Sequence, residues 1–151
     1  MVGIPDLQML RDRLIGRPIG GGSVIVPSHE RAIGHHAVAW VGGEGQDLHP
    51  IWATLLGLRG MDLSFEDLFA LAEGSAEDGI FFGEAAIEMK SELKAETYYQ
   101  VSGEITDLVR RSGKKFDCFD SLTFRLDLSA ADGTIVASAT NSFLFVRKEE
   151  P

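Results

Sequence analysis

Six consecutive residues, Asp47-Leu48-His49-Pro50-Ile51-Trp52, bring an acid, an imidazole, a proline and an indole together directly ahead of an apolar helical pattern. Proline has its φ preset and no N–H to leave unpaired in a first helical turn, so Pro50 suits a helix start. His49 then falls at the cap and Asp47 just outside it, close to the positive end of the helix dipole. A carboxylate and an imidazole can move protons between them, and free backbone N–H groups at a helix start can hold a substrate carbonyl. Asp47 and His49 are therefore the catalytic candidates. Trp52, Arg59 and Gly60, along the helix that follows, are the candidates for substrate binding. An indole offers one N–H and no basic nitrogen, so Trp52 cannot transfer the proton itself, and core packing is its commoner role.

The elements that must position these residues follow from periodicity. Leu7, Leu10 and Leu14, with Ile15, mark a short helix over residues 5–15 closed by Gly16. Arg17 to Gly22 reads as a glycine-rich turn, with no Lys-Ser/Thr pair to make it a phosphate loop, and Ser23 to Val26 as an edge segment. Ser28 is the expected N-cap of a helix reaching about Val41, with Ile33, His36, Ala37, Trp40 and Val41 on one face. That places His36 on an apolar stripe, as a hydrogen-bonded structural histidine, and His35 in solvent. Adjacent histidines project roughly 100° apart on a helix and make a poor metal pair. Gly42, Gly43 and Gly45 form the loop into Asp47.

Beyond the opening stretch, Ile51, Leu55 and Leu58 line one helical face. A second helix starts at Ser64, with Asp67 three residues on, an apolar face of Phe65, Leu68, Phe69 and Ala72, and Gly74 at its end. Residues 75–79 are a polar loop. From Ile80 the period becomes two. Strands are expected over Ile80–Lys90, Thr97–Val109, Phe116–Leu128 and Thr134–Arg147, the last two joined at an Asp132-Gly133 hairpin turn. Helices followed by four long strands with short connections make an α+β protein, an antiparallel sheet covered on one face. Strands this long must curl, and the apolar helix of residues 50–59 or 64–73 is the natural filler of the concave side.

At 151 residues, with 44% apolar and 25% charged side chains, the chain reads as one soluble domain over 1–151. A formal net charge of −9 argues against nucleic acid or an anionic membrane as partner. Arg110, Arg111, Lys114 and Lys115 still offer a local positive cluster around one turn. Cys118, the single cysteine, falls in an alternating strand pattern as a packed thiol. Without an internal disulfide, a basic-apolar leader or a spanning apolar run, a cytoplasmic location is expected. No metal-ligand spacing or nucleotide fingerprint is present, so no metal is expected.

The opening stretch resembles the hydratase motif of the MaoC-like, (R)-specific enoyl-thioester hydratases and dehydratases, which reads Asp, any residue, Asn, Pro, an aliphatic, His. Asp47, Pro50 and Ile51 stand at its acid, proline and aliphatic positions. His49 stands where that family has asparagine, and Trp52 where it has the catalytic histidine. Leu14-Ile15-Gly16-Arg17, the helix before Asp47 and the final Thr140-Asn141-Ser142-Phe143-Leu144-Phe145 fall in the same order as in the family. The resemblance implies a hot-dog fold, a curled antiparallel sheet wrapped around a central apolar helix. It also implies edge-to-edge pairing, as a homodimer or as a heterodimer with another MaoC-like chain. The implied chemistry is water addition to an enoyl thioester, or its reverse from a 3-hydroxyacyl thioester. The substrate would be an acyl-CoA or acyl-carrier thioester, with no other cofactor.

Which chemistry survives the loss of the motif histidine stays open at this stage. The chain would be the non-catalytic half of a two-subunit enzyme, with Trp52 helping to shape an acyl channel. Otherwise it is an active hydratase with His49 as base and Asp47 orienting it. An acyl-CoA thioesterase using Asp47 or Glu66 to activate water, and a non-enzymatic acyl-binding dimer, are the alternatives.

Overall fold

A computed structural model describes residues 3–42 and 47–149. The expected loop at Gly43 and Gly45 and the last two residues of the tail lie outside them. Helix α1 (Leu7–Leu14) starts at Asp6, whose carboxylate accepts the Met9 N–H at 2.8 Å. The chain turns out of it at Gly16, where φ is +84°, a conformation that suits glycine.

The glycine stretch is a strand and not a turn: Pro18–Val24 forms β1, paired antiparallel with the strand Tyr99–Arg111 (β3) through a bulge between Gly20 and Ser23. Close packing explains the composition. A Cβ on Gly20 would lie 2.8 Å from the Ser102 Cα, and one on Gly22 would lie 2.8 Å from the Gly60 carbonyl oxygen.

Helix α2 (Ser28–Ala37) is shorter than its apolar pattern suggests. Pro27 precedes it, and Ser28 is its first residue, not its cap. The Ser28 N–H is donated to the Glu96 carboxylate at 2.5 Å. The helix buries no residue, and Ile33 stays 69% exposed and Val41 fully exposed. The stripe read as core-facing is a surface.

Helix α3 (Trp52–Arg59) is the centre of the molecule and touches all five strands. A tight turn leads into it, with the Trp52 N–H on the His49 carbonyl at 3.0 Å and the Ala53 N–H on that of Pro50 at 2.9 Å. Small residues let it sit close to the sheet: a Cβ on Gly57 would lie 3.1 Å from the Leu126 Cβ, and one on Gly60 2.3 Å from the Val101 Cγ2. Leu56 is fully buried between. Helix α4 (Phe65–Leu71) is capped as expected, the Ser64 hydroxyl accepting the Asp67 N–H at 3.1 Å.

The remaining strands are β2 (Ile80–Met89), β3 (Tyr99–Arg111), β4 (Phe119–Ser129) and β5 (Ile135–Val146). They form one antiparallel sheet in the order β1-β3-β4-β5-β2, open at β1 and β2. Leu122, Phe124, Leu126 and Leu128 of β4 are buried against the helices, while Ser121, Thr123 and Arg125 alternate on the other face. The predicted hairpin joins β4 to β5, with Gly133 at φ +86° and the Asp132 carboxylate accepting the Thr134 N–H. Cys118 sits in the turn before β4, half-buried, and not within the strand.

At one end of the sheet Asp120, fully buried, binds Arg110 through both carboxylate oxygens and Arg147 through one. Arg147 carries on to the Ala72 and Glu73 carbonyls at the end of α4. Arg110, whose guanidinium is held more firmly protonated by Asp120, is thus turned into the structure. The positive cluster expected at that hairpin loses its first member. Among the described residues no helix is long and apolar enough to cross a membrane.

Candidate functional site

Asp47, Leu48, His49 and Pro50 lie at the head of α3, against the segment that leaves β2. Leu48 and Pro50 share a cleft of about 220 Å³ with Met89, Ser91 and Leu93. The Asp47 carboxylate is half-exposed and already engaged. One oxygen lies 2.9 Å from the Arg31 Nε, and the other accepts the Ala95 N–H at 2.6 Å. Its backbone is held as well, its carbonyl by Arg31 at 2.8 Å and its N–H by the Glu92 carboxylate. Asp47 therefore ties three segments together: α2, the approach to α3, and the connection between β2 and β3.

His49 accepts the Ile51 N–H on Nδ1 at 3.0 Å, so the ring itself caps the turn into α3. An imidazole that accepts on Nδ1 carries its proton on Nε2 when neutral. Nε2–H is then a donor, with no lone pair to take a proton. The His49 backbone N–H is donated to Nε2 of His35 at 3.3 Å. His35 and His49 both meet the Trp40 indole edge-on, at centroid distances of 4.6 and 5.2 Å. The two adjacent histidines of α2 thus exchange their expected places: His35 faces this cluster and His36 is exposed. Burial, with the nearby charges of Arg31 and His49, lowers the His35 pKa below its usual 6.5, against an opposing pull from Asp47.

Trp52 is only 6% exposed. Its indole lies beneath α2, so close that a Cβ on Gly34 would stand 3.1 Å from the ring. The Arg59 guanidinium sits 5.9 Å from the ring centroid and pairs with Glu30 at 3.0 Å. Gly60 ends α3 and is packed against Val101 and Val24. The structure brings Asp47 and His49 together at one end of α3 and places Arg59 and Gly60 at the other, with Trp52 filling the space between α2 and α3. Glu66 is exposed in the first turn of α4.

Residue types alone did not single out Arg31, His35, Trp40, Glu92 and Ala95 as neighbours of the motif. Arg31 and His35 lie four apart on α2, which is the one local sign that they share a face. A larger cavity of about 690 Å³, lined by Lys115, Cys118, Arg147 and Lys148 among others, lies at the hairpin end of the sheet, away from the motif. Among the described residues no group of three His, Cys, Asp or Glu side chains is arranged to hold a metal.

The fold has counterparts of known structure. A MaoC-like dehydratase superposes with a TM-score of 0.67 at 14% identity, over 91% of this chain and 43% of its own length. The present chain thus spans less than half of that protein. The chain has the hot-dog fold. The ChsH1-ChsH2 complex of Mycobacterium tuberculosis matches this hot-dog chain with a TM-score of 0.65 at 14% identity, over 96% of this chain and 92% of that one. The HadBC (3R-hydroxyacyl-ACP dehydratase) complex of the same organism matches with 0.63 at 16% identity, over 87% and 98%. No protein-family profile and no curated protein sequence matches.

Proposed function

We propose that this hot-dog chain is the non-catalytic subunit of a two-chain hydratase or dehydratase acting on enoyl or 3-hydroxyacyl thioesters, its partner a MaoC-like chain with an intact motif. The observation that carries this is the state of the motif: the acid is spent on Arg31 and the Ala95 N–H, and the histidine position is an indole packed under α2. His49 does not replace the missing base, because its Nδ1 is occupied and its Nε2 is the protonated nitrogen. Two of the similar structures are themselves complexes of two such subunits, which favours a hetero-oligomer.

The free edge of the sheet suits that partner. Along β2, Phe82 and Met89 are 46% and 36% exposed, and Ile51, Leu55 and Phe65 add to the uncovered apolar surface on the helical side. An apolar surface beside a strand with unpaired N–H and C=O groups is built to be covered.

The test is crotonyl-CoA hydration by the purified chain, alone and co-expressed with a MaoC-like chain carrying the full motif. The single chain is expected to be inactive and the pair active. Asp47→Asn in this chain should leave the rate of the pair within about twofold, since a spectator carboxylate contributes nothing to the transition state. Hydration by the single chain, lost in His49→Ala, would establish the independent enzyme instead.

A further inference from the structure

We infer that Asn141 is an anchor for a hydroxyl group on the acyl part of the ligand, remote from the thioester; this rests on the thioester reading above. Among the described residues only two buried side-chain polar atoms lack a hydrogen-bond partner, Oγ1 of Thr54 and Oδ1 of Asn141. Asn141 is 1% exposed, and its one bond runs from Nδ2 to the Ala139 carbonyl at 3.4 Å. A buried carbonyl without a donor is costly, and an apolar side chain of the same shape would pack at less cost. Such a group calls for a partner that arrives from outside.

The register shows where that partner can enter. Asn141 pairs with Phe124 of β4 on one side and Ala85 of β2 on the other, and all three share the concave face. Phe124 is fully buried, but Ala85 is exposed and carries only a methyl group. The amide therefore lies one side chain in from the β2 edge, at the seam a second chain would share. Thr54 belongs to the first turn of α3, spaced with Ile51 and Leu58 and not with the face that meets α2.

The distance along the sheet separates this point from the motif. Met89 pairs with Ala137 and Ala85 with Asn141, a difference of four residues, or roughly 13 Å of strand. Met89 lines the cleft of Leu48 and Pro50. A thioester held there would send its acyl chain along β2 and β5, and the extended decanoyl chain is of this length. The surroundings of Asn141 (Ala85, Phe124, Ala139, Phe143) are apolar, so the donor must be neutral, because an unpaired buried charge is far more costly. A ketone has no hydrogen to give. A hydroxyl donates to Oδ1 and keeps its lone pairs for a further donor.

Calorimetric titration of the full chain, alone and paired with the MaoC-like partner, with decanoyl-CoA, 3-hydroxydecanoyl-CoA and 10-hydroxydecanoyl-CoA tests this. The 10-hydroxy form is expected to bind about tenfold more tightly than decanoyl-CoA, the worth of one hydrogen bond to a buried acceptor. Asn141→Leu, checked for folding by its thermal melt, should level the two. The comparison in the unaltered chain stands even if that variant fails to fold. Equal binding of the decanoyl and 10-hydroxydecanoyl forms, or preference for the 3-hydroxy form alone, would overturn the anchor while keeping the thioester reading. Binding of none of the three, by the chain alone or by the pair, would overturn both.

Discussion

Asp47 shows how much one carboxylate can owe to partners far from it in sequence. Its carboxylate holds Arg31 from α2 and an N–H from the β2–β3 connection, contacts made 16 and 48 residues away in sequence. A local reading of the stretch sees the acid and the proline but not these partners, so the residue was legible and its contacts were not. Asp47→Asn keeps an acceptor for the Ala95 N–H and loses the ion pair. Both partners are over a third exposed, so the cost should be at most about 1 kcal/mol in urea denaturation. His35 gives a second measurable consequence. Its pKa is lowered on folding, so between 6.5 and the lower folded value the unfolded chain binds a proton that the native one does not. Its contribution is present above 6.5 and is lost as pH falls through the folded value. The unfolding free energy should therefore drop as the pH falls below 6.5 and through the lower folded value. His35→Gln should flatten that part of the curve.

Elements whose pattern matched their burial were readable: the Ser64 cap, the alternation of β4, the Asp132-Gly133 turn. The failures have physical causes. In β1 glycine removes the side-chain alternation that announces a strand, because the backbone must pass close to Ser102 and Gly60. In α2 an apolar stripe is present but faces solvent, and the chain leaves the helix through Val38 and a positive φ at Ala39. The meeting of α2 and α3 was invisible because it depends on Gly34 leaving room for the Trp52 ring. The seat of α3 on the sheet is equally demanding at its other end. Gly60→Ala would drive a methyl into Val101 and Val24, and about 1–3 kcal/mol of stability should be lost, measured by chemical denaturation.

For the whole molecule, the fold class and its helix-filled sheet follow from element order, whereas which apolar side chains the edge leaves uncovered follows only from burial in three dimensions. Leu55 is 44% exposed on the central helix, so a charge there should leave the monomer folded. Leu55→Glu is expected to keep the melting temperature within a few degrees while abolishing co-elution with the partner chain in size-exclusion chromatography. Pairing through β2 would be sunk by unchanged co-elution in that variant and in one with Pro at Ala86. The tether of α2 has its own consequence. Its first N–H is met by Glu96, 68 residues downstream, and Arg31 in its middle by Asp47, while the helix buries nothing of its own. Amides of that turn should therefore trade their hydrogens for deuterium well before those of β4, marking α2 as the last unit to dock during folding and the first to let go.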